Sequence, residues 1–400
     1  MSPASYRWVT RCCYTGMFVQ AAVINLTPLL FIPLRNQFGL TFEEIGRLVL
    51  INFLTQMLVD LLCTGFAHRI PTKLLIVLAN LLAASGLVLF AVLPFGLQEP
   101  YAGLLVGTVV FSIGCGLLEV LLSPIINAIP SERKAGDMAM LHAFYPVGKV
   151  AVIVLSGAAL FAAGERFWPV VAIAWAIVPL INTLAFTLVR LPPMVPEKHH
   201  QSFGSILRGR TIFFLLAAMA LAGATEVTIA QWTSAFVERG LGFSKVIADL
   251  VGFALFGVGM IIGRVWFGLH GEHGNLHRVL AISAALSFAS CLTMALVPHP
   301  AIALAACAMS GLFVSMLWPG TLSVAAARFP GADTRMFALL AAAGDAGAGI
   351  MPWAAGLVAD GVARSGWATD SPEALGLRMA VLVTAACPLL MLWVTRRLRN

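Results

Sequence analysis

The feature that most constrains this chain is the recurrence of long apolar segments separated by charged or Pro/Gly-bearing breaks. Each is long enough to cross a hydrocarbon layer of about 30 Å as a helix. Twelve can be drawn, at 12–34, 43–67, 73–95, 101–128, 138–163, 167–190, 211–237, 246–269, 278–297, 301–327, 336–360 and 376–395. In lipid every backbone N–H and C=O must be satisfied within the protein, so segments of this length are read as helices. The composition agrees. Sixty per cent of residues are hydrophobic and 11% charged, against about 45–50% and about 25% in soluble domains. The expected class is an all-α membrane protein of twelve transmembrane helices, lying in the lipid bilayer of the cytoplasmic membrane.

The net charge of +7 does not point to nucleic acid, because the basic residues form short clusters between apolar segments and no long basic tract. They report topology instead. Even-numbered loops carry Arg69 and Lys73, Arg133 and Lys134, Arg190, Lys198, Arg208 and Arg210, Arg278, and Arg328 and Arg335; the termini add Arg7, Arg11, Arg396, Arg397 and Arg399. Odd-numbered loops hold only Arg35, Arg166, Arg239, Lys245, Arg364 and Arg378. The excess of Lys and Arg predicts that both termini and the even loops face the cytoplasm. Seven cysteines, mostly within apolar segments, give neither a disulfide framework nor metal spacing. The first apolar segment is too long for a signal-peptide core and lacks a small-residue cleavage site, so it is expected to remain as a span.

The longest even loop, RLPPMVPEKHHQSFGSILRGR, is polar, proline-bearing and central. It divides the chain into residues 1–190, a linker at 191–210, and residues 211–400. His199 and His200 in this loop have no third ligand nearby and read as part of a solvated linker. Neither a metal nor a cofactor is expected, and a monomer is the expected state.

Enzyme signatures do not appear in the sequence: no P-loop, nucleophile elbow or zinc-binding His/Glu helix, and only short loops between spans. Charged and polar groups inside spans are therefore the functional candidates, because each costs free energy there. Glu119 lies in GLLVGTVVFSIGCGLLEVLLSPIINAIP; a charge near the centre of such a span costs about 2.5 to 3.5 kcal/mol on insertion scales. Burial disfavours the charged form of a carboxylate, which suits a reversible proton carrier. A structural hydrogen bond or ion pair is the alternative. Gln56 and Asp60 are four apart and share a helical face; Asp60 is a second proton candidate, or a gate or packing residue. His142, Tyr145 and Lys149 form one stripe on the fifth segment. Lys149 suits pairing with Glu119 or Asp60, direct binding of an anionic substrate, or a permanent ion pair. Glu226, Gln231 and Trp232 lie together on the seventh segment as substrate-binding candidates, with coupling or an outer-gate hydrogen bond as the other readings of Glu226. Trp318 and Trp353 adjoin prolines and can offer flat apolar plates to a small-molecule substrate, or can pack helices. Gln20, Asn25 and Asn127 are neutral candidates for its hydroxyls. Asp345 and Arg264 are read as gate or helix-packing residues, with a substrate ligand as the second reading of Asp345.

The motifs resemble one family. Two six-helix halves joined by a central loop resemble the major facilitator superfamily, whose halves rock about a midplane site. GCGLLEVLLSPIINAIP, then LHAFYPVGKV, GATEVTIAQW, GFALFGVGMIIGRVWFG, LWPGTLSVAAARFP and AGDAGAGIMPWAAGLVAD follow the order of the fucose:proton symporter branch. That resemblance implies a secondary transporter importing a sugar or sugar derivative with protons, Glu119 being the acidic residue of the fourth helix. The chain departs from the branch in its first helix, where CYTGMFVQAAVINLTPLLFIPL offers no carboxylate, and GFAHRIPTK is a weak form of the superfamily's first cytoplasmic loop. An organic acid or acidic-sugar carrier, an efflux antiporter and a non-transporting membrane sensor are the other readings.

Overall fold

A computed structural model of the chain describes residues 3–40, 42–66, 69–194, 209–244, 247–248, 250–270, 275–329, 334–365 and 371–399. His199 and His200, with most of the central linker, lie outside the described residues. The elements are α1 (Pro3–Leu29), α2 (Phe31–Phe38), α3 (Phe42–Phe66), α4 (Thr72–Gly96), α5 (Pro100–Ala128), α6 (Lys134–Ala163), α7 (Trp168–Leu188), α8 (Arg210–Ala235), α9 (Phe256–His270), α10 (Leu276–Leu296), α11 (Pro300–Val314), α12 (Leu317–Arg328), α13 (Thr334–Arg364), α14 (Pro372–Thr384) and α15 (Ala386–Arg399). No strand occurs among the described residues. Eleven helical stretches there are long and apolar enough to cross a membrane. The eighth expected segment holds a shorter apolar helix, entered as π-helix over Leu250–Leu255 and continuing as α9.

Three expected spans are interrupted, each about one turn ahead of a proline. The chain turns at Leu30 before Pro33, at Ser315 and Met316 before Pro319, and at Ala385 before Pro388. A proline lacks the N–H that would bond the carbonyl four residues back, and its ring crowds that carbonyl. Other prolines, including Pro124, Pro146 and Pro352, ride inside continuous helices. Their freed carbonyls need donors from elsewhere.

By contacts the chain forms two compact units, the first of Met1–Ser131, Phe144–Gln201 and Gly331–Ala342, the second of Glu132–Ala143, Ser202–Pro330 and Ala343–Asn400. In the first unit α4 and α5 pack almost backbone to backbone. A methyl group at Gly103 would lie 2.6 Å from the Pro94 nitrogen, and one at Gly107 would be 2.5 Å from the Phe90 Cα. Small residues permit this approach, which gives dispersion contacts where lipid supplies no hydrophobic drive. Phe111, one turn beyond Gly107, lies against Gly86 of α4 and meets Phe90 edge-on at 5.9 Å. At one end the Trp168 indole donates to Gln37 Oε1 at 2.6 Å amid Phe38, Phe90 and Phe95. At the last turn of α7, Lys73 Nζ donates to the Thr187 and Val189 carbonyls at 2.8 and 3.0 Å, a cation at a helix C-terminus.

The second unit uses the same devices. Gly311 of α11 rests on the Phe256 carbonyl at the start of α9, and Gly347 of α13 rests on the Ala220 carbonyl of α8. Arg378 Nη1 donates to the Ala295 and Val297 carbonyls at the end of α10, both at 3.1 Å.

Replacing Gly107 by Val is expected to push α4 from α5 and lower stability by at least the 1–3 kcal/mol or so of an overpacked core. Thermal unfolding of detergent-purified protein checks it: the midpoint should fall clearly, while Gly157→Val, where nothing lies within 4 Å of the new methyl, should move it little.

Candidate functional site

In the first unit Glu119 projects from α5, one of the most buried helices of the fold. Gln20 of α1 donates from Nε2 to Glu119 Oε2 at 2.8 Å. Gln20 is 3% exposed, and its Oε1 is buried with no hydrogen-bond partner. An orphan acceptor of that kind costs about 1–3 kcal/mol. It is an acceptor held ready beside a carboxylate. Asn25, five residues on, spends its amide on the Ala21 carbonyl of its own helix at 2.8 Å.

Asn52, Gln56 and Asp60 line one buried face of α3, at 5, 2 and 0% exposure. Gln56 Nε2 donates to Asn52 Oδ1 at 3.1 Å, and Ser112 Oγ of α5 donates to the same oxygen at 2.6 Å. A methyl at Gly116 would lie 3.2 Å from the Gln56 Cα. Pairing 52 with 112 and 56 with 116 fixes a parallel register that carries Asp60 to the level of Val120, beside Glu119 in sequence. This register sets Asp60 at the same depth as Glu119.

The stripe expected on α6 is shared out. Tyr145 and Lys149 belong to the first unit and are half-buried; Gly148 between them seats α6 on the Phe18 carbonyl of α1. His142 is 6% exposed and belongs to the second unit. Asn127 is half-buried near the end of α5.

The centre of the second unit is an ion pair the sequence did not announce. Arg264 Nη2 donates to both Glu226 oxygens, at 3.1 and 2.9 Å, with side-chain exposures of 2% for Arg264 and 14% for Glu226. The guanidinium's other donors are also used: Nε reaches the Ser315 carbonyl and Nη1 the His142 carbonyl, each at 2.9 Å. Both carbonyls stand four residues before a proline, Pro319 and Pro146, and so lack an intrahelical donor. Arg264 supplies it. Two signals in the sequence could have found this node: opposite charges inside the seventh and eighth spans, and prolines at fixed distances from polar-poor breaks.

Trp318 lies with its ring over Gly344 and near Gly223, where a methyl would meet it 3.2 Å from Cζ3. Asp345, next to Gly344, is half-buried. Trp232 donates from Nε1 to the Pro352 carbonyl at 3.1 Å and abuts Gly356. Gln231 is exposed, and Trp353 is 66% exposed, so neither joins an enclosed polar group within this unit. The arrangement therefore offers two intramembrane carboxylate sites of different character. Glu119 is held by one neutral amide, and Glu226 is neutralised by a buried arginine.

Residues 13–276 match the Major Facilitator Superfamily. The chain is 24% identical over 357 residues to membrane protein MosC of Rhizobium meliloti, covering 88% of this chain and 82% of that one. The fold superposes on the fucose:proton symporter FucP of E. coli with a TM-score of 0.80 at 18% identity, covering 99% of this chain and 100% of the other. It superposes on the proton:xylose symporter XylE with a TM-score of 0.81 at 13% identity, covering 99% and 96%. At those identities the structural likeness is one of fold, while the family match spans more than half of the sequence. The chain belongs to the Major Facilitator Superfamily and is a multi-pass membrane transporter.

Proposed function

We propose that the chain is a proton-coupled symporter of a small hydrophilic solute, a sugar or sugar derivative, working by alternating access. The observation that carries the reading is the Gln20–Glu119 hydrogen bond with its unused amide oxygen. With Glu119 ionised, Nε2 donates to the carboxylate. Once Glu119 is protonated, its O–H becomes a donor, and the amide can accept it at Oε1. One side chain thus serves both protonation states without a displaced helix, which a carrier that cycles between them requires. A neutral amide also matches solute hydroxyls, which both donate and accept. The fold likeness to two sugar:proton symporters supports the same solute class.

In this reading residues 1–190 and 211–400 are the moving halves, 191–210 is their linker, and the even loops and both termini are cytoplasmic in a monomer. Asp60, level with Glu119 on the adjoining helix, is the second proton candidate. Gln20, Tyr145 and Trp318 are solute-facing candidates.

Proteoliposomes given a panel of neutral sugars should acidify inside when the right sugar is added. Glu119→Gln, a permanently neutral side chain, should abolish that acidification and retain sugar exchange across the membrane. Sugar uptake by the unaltered chain without proton movement would sink the coupling role of Glu119.

A second reading has its own observation: Lys149 is a half-buried cation within a span, next to the glycine that seats α6 on α1. It would suit an organic acid or acidic sugar. On that reading Lys149→Gln removes transport of acids by tenfold or more, about the worth of one charge-assisted hydrogen bond, and leaves folded protein unchanged by size-exclusion profile.

A further inference from the structure

Within the second unit, the opening turns of α6 are fastened to α9 and to the turn between α11 and α12. Arg133, just ahead of α6, donates from Nη2 to the Gly268 and Leu269 carbonyls at 2.8 and 2.7 Å. Gly136 lies so near α9 that a methyl there would be 2.9 Å from the Gly268 carbonyl oxygen. Ala139, Phe267 and Met316 form a buried apolar cluster between these contacts. Arg264 closes the series at the His142 carbonyl.

The chemistry of that last contact sets it apart from ordinary packing. Because residue 146 is proline, the His142 carbonyl has no donor in its own helix; if α6 withdraws, the carbonyl must find water in place of Arg264. Arg264 itself stays solvated by Glu226 and Ser315. One side of the guanidinium is thus permanently neutralised, and the other holds a segment by a bond that water can replace.

We infer that Arg264 is a positioning residue of the transport cycle: a releasable clasp whose bond to the His142 carbonyl holds residues 134–143 of α6 on α9, and whose breaking opens the cytoplasmic side. Glu226 is its fixed anchor, keeping the guanidinium in place while the carbonyl leaves. The inference rests on the alternating-access reading and on cytoplasmic placement of the loop before α6. A lysine cannot replace Arg264, because a compact ammonium cannot reach two carbonyls and a carboxylate in three fixed directions.

The test uses the full chain, with Ala139→Cys as a reporter. Ala139 is 0% exposed, and the seven native cysteines are buried, so the unaltered chain sets the background. Maleimide labelling of the introduced thiol should be slow, and adding Arg264→Lys or Glu226→Gln should speed it about tenfold or more, the value of one charge-assisted hydrogen bond. Arg264 is kept in a second variant, Met140→Cys with Gly268→Cys. There a Gly268 Cβ would lie 3.4 Å from the Met140 Cβ, close to disulfide reach. Oxidation should stop sugar counterflow, and reduction should restore it. Labelling unchanged by Arg264→Lys in a monodisperse preparation, or undiminished counterflow by the oxidised pair, overturns the clasp. The labelling arm needs no solute. If the native chain moves no sugar while Arg264→Lys still unmasks the thiol, the symport reading fails and the clasp stands.

Discussion

The constraint on which the bundle most depends is that backbone polar groups inside a membrane must be paired by the protein itself. Arg264 meets it most economically. A single guanidinium satisfies two carbonyls that prolines have stripped of their helical donors, and its charge is offset by Glu226. Burying that charge without the carboxylate would be costly, and the carboxylate without the arginine equally so. The seventh and eighth spans, the broken tenth and the start of the fifth therefore share a common polar hub. Glycines do the complementary work, bringing helices near enough for dispersion to replace the missing hydrophobic drive.

The two carboxylate sites divide the labour by their neighbours. Glu226 faces a permanent cation, so its charge is compensated where it stands. Glu119 takes its hydrogen bond from a neutral amide whose oxygen is unused, so that amide can partner either protonation state. That difference in surroundings, rather than residue type, separates a structural acid from a candidate proton carrier. Asp60 places a further buried carboxylate on α3, at the level of Glu119.

How much was legible in the sequence depended on the range of the interaction concerned. Span positions follow from hydropathy alone, and the twelve segments drawn from it each find helix, with α1 and α6 starting several residues early because helix continues into the polar flank. Glu119, Glu226 and Arg264 stood out because charge in an apolar run is rare. Which residues they meet did not follow, since Gln20 lies 99 positions from Glu119, and Glu226 lies 38 from Arg264. Spacing on one helix reveals a face but not what packs against it. That limit also explains Trp353, which adjoins a proline as a site aromatic would, yet points outward. The interruptions near Leu30, Ser315 and Ala385 were readable in principle, but continuous prolines such as Pro124 show that the residue alone does not decide.

The glycine seam between α4 and α5 has a mechanical side. With main chains in contact, there are few side-chain rotamers between the two helices to absorb a displacement, so the pair behaves as a stiff strut. The strut runs from Pro100 past Glu119, about 28 Å at 1.5 Å per residue. Movement imposed near the acid is thus delivered at the far loop with little loss. The same stiffness narrows the drift open to this lineage: Gly103, Gly107 and Gly114 can change only if the leverage is given up with them.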